Sequence, residues 1–341
     1  MSKIEPFERV LDGLQLSSKE WERLAGDVLS GKMSDYQIAA LLGSLRTRGL
    51  EPSTLQAFVE TILRHTTPSQ DVTLSVADCC GTGGDGAGLI NVSTATAFVA
   101  ATLGVVVGKH GSTGVSSRCG SSDVLRALGV TTAHTISDAQ QRLQRHQLAF
   151  LHAPDFHPIL ASVAPIRRAL RVKTIFNAIG PLVNPLRPVY QLVGVYRSEL
   201  IKPVAEVLQA QGVQRALVVH GAGLDELNPV KANEACLVID GKLEMCTIRP
   251  KDVGCRVSSL ESLSGADANT NAQILTSILQ GKGTAAQKAM VGLNAGALLW
   301  VAGRSNNLKE GIRAAMDVLE TDMAFQKLSR IQEDCQKEAV Q

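Results

Sequence analysis

DCCGTGGDGAGLINVSTATAFVAATLG, Asp78 to Gly104, ends a β-branched and apolar run, passes through a loop with a glycine at nearly every second position, and opens into a helical pattern. Gly81, Gly83 and Gly86 satisfy G-x-G-x-x-G, the dinucleotide fingerprint. That fingerprint needs its helix to open inside the motif and an acidic residue at the end of the next strand, about 20 residues on, to hold a ribose hydroxyl. Neither condition is met. The helix cannot start comfortably before Asn91 to Ser93, and the next strand ends in Lys109. Asp85 also sits inside the loop, where it repels a bare pyrophosphate unless a cation or a sugar hydroxyl faces it. The stretch therefore reads as the strand, loop and helix of an α/β fold, with the nicotinamide reading set aside.

Outward from it, VTLSVADCC, GVVVGK, LAFLHA, YQLVGVY and RALVVHG are short strand-like runs, separated by helical segments such as Ser93 to Leu103 and Asp138 to His146. Strands alternating with helices predict a mostly parallel sheet covered on both faces. Before Val72 the pattern is helical. Leu55, Phe58, Val59, Ile62 and Leu63 fall on one helix face behind Pro52, and the preceding helix starts at a Ser34/Gln37 capping box and stops at Gly49. PDFHPILASVAPIRRALRVKTIFNAIGPLVNP interrupts the strand series with more helical pattern, read as chain returning to that helical unit. Asp240-Gly241 between two alternating runs predicts a hairpin edging the sheet, and Asn271 to about Gln332 reads as helices. The expected fold is α/β: a small helical N-terminal domain over residues 1–70, completed by about residues 155–187, and a large domain over 71–154 and 188–341 with a mostly parallel sheet flanked by helices, carrying the phosphate-binding loops.

Composition removes several function classes. In 341 residues, 34 basic side chains are scattered against 32 acidic ones, so no basic stripe is available to displace counterions from nucleic acid. MSKIEPFERVLDGL lacks the apolar core of a signal peptide, and no apolar run reaches membrane-spanning length, so a cytoplasmic protein is expected. Seven cysteines without a C-x-x-C pair argue against a disulfide framework and a zinc knuckle, and the histidines lack H-E-x-x-H spacing.

Three glycine-rich loops, CCGTGGDGAG, KHGSTGVSSRCGSSD and HGAGLDE, each follow a strand, so all emerge at the carboxyl edge of the sheet, where open α/β folds bind ligands. Each alone is ordinary turn chemistry. Together they offer backbone N–H groups and a helix N-terminus capped by Asn91, Ser93 and Thr94; a fixed cation, Lys109, with hydroxyls at Ser116, Ser117, Ser121 and Ser122; and adjacent acids, Asp225 and Glu226. Paired carboxylates facing a phosphate pocket call for Mg2+. The residues specify a ligand with phosphates at more than one place, hydroxyls and magnesium, which a phosphorylated sugar diphosphate fits. No Ser-His-Asp or Cys-His set is present.

With GTGGDG, NVSTATAFVAA, KHG, SSRCGSSDVLRALGV, HPILASVAPIRRALRVKTIFNAIGPLVNPLRPVYQLVGVY and LDEL in this order, the sequence resembles the anthranilate phosphoribosyltransferases of tryptophan biosynthesis over nearly its whole length. The resemblance implies transfer of phosphoribosyl from phosphoribosyl pyrophosphate to the amino group of anthranilate by a Mg2+-dependent homodimer associating through the helical domain. It places Gly81, Thr82, Gly83, Gly84, Asp85, Asn91, Val92, Ser93, Thr94, Lys109, Ser117 and Ser121 on the donor. It places Ser93, Asp225 and Glu226 on the metal, and Gly81, His110, Ser112 and Arg167 on the acceptor, Arg167 at its carboxylate. Two positions depart from the family pattern: Ser112 stands where an asparagine toward the acceptor is usual, and Leu89 where a threonine is common. A transferase for another aromatic acid, a nucleoside phosphorylase of similar architecture, which would have no use for the Asp225-Glu226 pair, and a non-catalytic paralogue are the alternative readings.

Overall fold

The computed structural model describes residues 5–66, 74–114, 119–255 and 259–340. Four helices come first: α1 Pro6–Leu11, α2 Ser18–Leu29, α3 Asp35–Arg48 and α4 Pro52–Arg64. The Ser34/Gln37 capping box is formed, and Gly49 ends α3 with a φ of 86° that other residues resist. Then strand and helix alternate: β1 Ala77–Gly81, α5 Val92–Thr102, β2 Val107–Gly111, α6 Ser121–Ala127, α7 Ile136–His146 and β3 Leu148–His152. Val72 and Thr73, from which the first strand run was read, lie outside the described residues.

The interruption follows as α8 Ala153–Phe156, a 3-10 turn Pro158–Ser162, α9 Ala164–Leu170, α10 Ile175–Ile179 and a second 3-10 turn Gly180–Leu182. The chain then resumes with β4 Tyr190–Gly194, α11 Ile201–Ala210, β5 Arg215–His220, β6 Asn233–Ile239 and β7 Lys242–Ile248. It ends in α12 Ala268–Leu279, α13 Ala285–Val301, α14 Leu308–Leu319 and α15 Met323–Val340.

The strands form one sheet of order β3-β2-β1-β4-β5-β6-β7. The first five are parallel, and β6 and β7 run antiparallel as the hairpin, with Asp240 at φ 48° and Gly241 at φ 70° as its turn type demands. Alternation along the strands assigns the two faces. Leu192, Leu217 and Val219 join α5 and α12–α15 in one core, whereas Val193, Ala216 and Val218 join α11 and the N-terminal helices in the other. On the first face α13 and α14 cross so closely that a Cβ on Gly296 would strike the Ile312 backbone, which is why that stretch is rich in small residues.

The interruption does return to the helical unit. Val163, Ile166, Ile175 and Phe176 are buried with α2–α4, Phe58 and Phe176 stack edge to face at 5.8 Å, and Arg46 donates to the Lys173 carbonyl at 2.7 Å. This unit thereby overhangs the carboxyl edge of the sheet. No described helix is long and apolar enough to cross a membrane.

Candidate functional site

The loops after β1, β2 and β5 meet along that edge, and with α9 and α10 above them they enclose a cavity of about 650 Å³. Gly81 and Gly194 are register partners at the ends of β1 and β4. A Cβ on either would collide with Asp225, so this pair of bare positions is the seat that lets the Asp225 segment lie across the strand ends. From there Asp225 Oδ2 accepts the Gly83 N–H at 2.6 Å. Two expectations change as a result. Gly83, at φ 67°, is needed for its backbone conformation, and its N–H is taken by a carboxylate rather than left for a phosphate. Asp225 and Glu226 are half-buried, and Asp225 holds the glycine loop, so the pair read as metal ligands has a structural task as well.

The expected capping of α5 is also corrected. Asn91 is its N-cap residue but makes no cap hydrogen bond. Its amide is drawn sideways, donating to the Cys119 carbonyl at 3.4 Å and accepting from Asn271 at 3.0 Å. The Thr94 hydroxyl is fully buried without a partner and lies off the cavity wall. Val92 is buried in the core, with its N–H on the Ile90 carbonyl at 2.7 Å. The Asn91 side chain thus leaves the first turn of α5 uncapped, the Ser93 N–H faces Glu226, and the helix end presents its positive pole to the cavity.

Lys109 lies within β2, 3% exposed. Burial works against its charge, but Cys80, Cys79, Asp78 and Glu226 around it outweigh burial and leave its pKa raised. Asp78, absent from the sequence reading, sits beneath it; burial lifts this carboxyl to about 6 against the pull of Lys109 and a 2.7 Å hydrogen bond from Asn184. Burial, then the neighbouring Asp85, pushes Asp225 up to about 7, and burial with Asp225 pushes Glu226 well above the usual carboxylate range. Carboxylates raised by burial and mutual repulsion are in want of a cation, and an all-oxygen set beside a phosphate pocket suits Mg2+. The residues present fit that ion.

The opposite end of the cavity is of another kind. His110 is 2% exposed with Nδ1 3.2 Å from the Gly180 carbonyl, and its ring meets His157 edge to face at 5.1 Å. Burial, then His157, drives its pKa down to about 3, and burial takes His157 to about 4, so both rings are neutral. Arg167 lies against the Phe176 ring at 5.5 Å, half-buried, with no ion pair among the described residues; burial alone lowers its pKa. A guanidinium half out of water and without an acid partner among the described residues can receive a carboxylate. Its neighbour Arg168 is exposed.

Gly81, Thr82, Gly84, Asp85, Ser93, Ser112 and Ser121 all line the same cavity, as does Leu89. Thr82 is buried, accepting the Tyr196 N–H at 3.1 Å, and Ser121 donates to the Ser112 carbonyl at 3.4 Å. Ser116 and Ser117 lie outside the described residues. Sequence reasoning missed Asn271, His157, Phe176 and Gly194. For Gly194 the signal was available, a glycine closing a buried strand; for Asn271, in a helix far along the chain, there was none.

A family model described as glycosyl transferase family, helical bundle domain, matches residues 6–66, and one described as glycosyl transferase family, a/b domain, matches residues 73–325. The anthranilate phosphoribosyltransferase of Idiomarina loihiensis is 40% identical over 327 residues, 96% of this chain and 97% of that protein. The crystal structure of the anthranilate phosphoribosyltransferase of Thermus thermophilus superposes with a TM-score of 0.89 at 35% identity, over 98% of this chain and 100% of that one. A variant of the Saccharomyces cerevisiae anthranilate phosphoribosyltransferase with Mg bound gives 0.85 at 25% identity, over 97% of each chain.

Proposed function

The chain belongs to the anthranilate phosphoribosyltransferase family, and from that premise we propose how its cavity performs the family's reaction. The protein transfers phosphoribosyl from phosphoribosyl pyrophosphate to the amino group of anthranilate, giving N-(5-phosphoribosyl)anthranilate and pyrophosphate, a step of tryptophan biosynthesis.

In our reading the donor occupies the end lined by Gly81, Thr82, Gly83, Gly84, Asp85, Asn91, Val92, Ser93, Lys109 and Ser121. Asp225, Glu226 and Ser93 would hold Mg2+, which would neutralise charge on the pyrophosphate. Lys109, kept cationic by its surroundings, faces charge that grows on the leaving group as the anomeric bond breaks. Arg167 anchors the acceptor carboxylate while Ser112, Gly81 and the neutral His110 border its ring. The amine attacks with its own lone pair, so positioning carries the rate and no strong general base is required.

The observation that carries this reading is the single cavity walled at one end by half-buried acids and Lys109, and at the other by an unpaired guanidinium. Pyrophosphate release from phosphoribosyl pyrophosphate, measured across a panel of aromatic acids with and without Mg2+, tests it. Turnover with anthranilate alone and only with Mg2+ is the expected result. Turnover confined to another aromatic acid would move the chain to the neighbouring specificity that Ser112 and Leu89 suggest.

Association as a homodimer through the helical domain belongs to the same proposal. Leu11, Leu14 and Tyr36 stand exposed on that unit, Tyr36 at 89%. Light scattering should give twice the chain mass. Residence in the cytoplasm accords with seven cysteines of which none is in a disulfide.

A further inference from the structure

Away from the cavity, at the outer edge of the sheet, two histidines and an aspartate converge. His152 is the last residue of β3, and Ala133 bridges Leu151 in parallel beside that strand, which brings His134 next to His152. Asp155 follows three residues later in α8. Nδ1 of His134 and Nδ1 of His152 each lie 2.7 Å from the same oxygen, Asp155 Oδ2, and the two rings are 6.1 Å apart. Among the described residues this is the one group of three histidine, cysteine or acidic side chains whose ligand atoms all fall within 4.8 Å of one another.

We propose that His134, His152 and Asp155 form a binding site for a first-row transition-metal ion of the Zn2+ class, separate from the magnesium site. Two imidazole nitrogens and one carboxylate oxygen are the ligand set such ions favour. Mg2+ prefers oxygen and an octahedral shell, so the two sites sort cations by ligand type: oxygen at Asp225 and Glu226, nitrogen here. His134 is exposed and opens the site to solvent, leaving positions for water on the ion. Both histidines reach the ion as neutral rings, each Nδ1 proton moving to Nε2 as the metal replaces it. An ion there ties the edge strand to α8, whose Ala153 and Pro154 wall the cavity.

Co2+ is the probe. It is titrated into metal-stripped protein held in excess Mg2+, followed by visible absorption and by calorimetry. The expected result is a single-site isotherm with d–d bands and no thiolate charge-transfer band, weakened by roughly tenfold or more in H134A and in H152A, since even outer partners of a bound metal contribute that much. The exposed His134 can be removed without disturbing the fold, which circular dichroism checks, and H134A keeps its Mg2+-dependent turnover. No binding by the wild type, or binding of equal strength in both variants, overturns the proposal.

Discussion

The two ends of the cavity solve opposite electrostatic problems. At the strand ends, acids are crowded together half out of water beside a buried lysine; the acids' raised pKa values register a want of a cation, whereas the lysine's registers the groups already around it. Under the helical unit, two histidines are kept neutral by burial and one arginine stands without an acid beside an aromatic ring. The first end is suited to a ligand that brings phosphates and a cation. The second suits a flat molecule with a single anionic group. On the proposed reading, the contrast lets one hollow hold both substrates in a fixed orientation without a residue acting as base.

The harshest way to break the contrast is to neutralise the acidic end. D225N with E226Q keeps an acceptor oxygen for the Gly83 N–H and removes both charges, so kcat at saturating Mg2+ should fall by about 10³-fold with the fold retained; full activity would mean that the acids serve only the loop. At the other end, R167A removes a charge-assisted contact worth roughly 2–4 kcal/mol. Steady-state kinetics should register this as an acceptor KM raised by roughly 30-fold or more, with donor KM kept, while R168A, at an exposed position, changes neither.

His110 sharpens the comparison through pH. Its pKa is about 3 when folded and near 6.5 when unfolded, so only the unfolded chain takes up this proton as pH drops from 6 to 4. Folding stability is therefore lost on acidification, by about 1.4 kcal/mol per pH unit from this residue, and is fully present above pH 7. Urea titrations of wild type and H110Q should diverge in slope over that range; parallel curves would show that the ring is solvated. The smallest effect concerns Ser112. S112N places a longer donor on the acceptor wall and should raise kcat/KM for anthranilate by up to about tenfold, the worth of one neutral hydrogen bond.

The two ends were unequally legible in the sequence. The end proposed for the donor is written in local pattern: the glycines, the late start of α5 and the Asp225-Glu226 pair are each contiguous, and parallel strands guarantee that their loops share an edge. Most of the sheet could be read for the same reason, since runs such as YQLVGVY and RALVVHG carry their own periodicity. What could not be read was which group holds which. Asn91 has the composition of a cap and is instead captured by Asn271, a partner 180 residues away. Asp225, read only as a metal ligand, also rests on two strand ends, as the paired glycines show. The end proposed for the acceptor depends on α9 and α10 arriving from an insertion, so its neutral His110–His157 contact has no local sequence signature.

The split construction of the helical unit has a consequence in time. Its first four helices leave the ribosome early, but the residues that close their core, Val163, Ile166, Ile175 and Phe176, come about a hundred residues later, a wait of roughly 5–20 s at about 5–20 residues per second. Through that interval α2 and α4 cover each other only in part, and the surfaces of α3 and α4 that later meet α9, α10 and α11 stay open. Synthesis thus hands a sticky, unfinished half-unit to the cell before the chain that completes it exists, and a transcript truncated anywhere before the interruption would encode an aggregating fragment rather than a smaller domain.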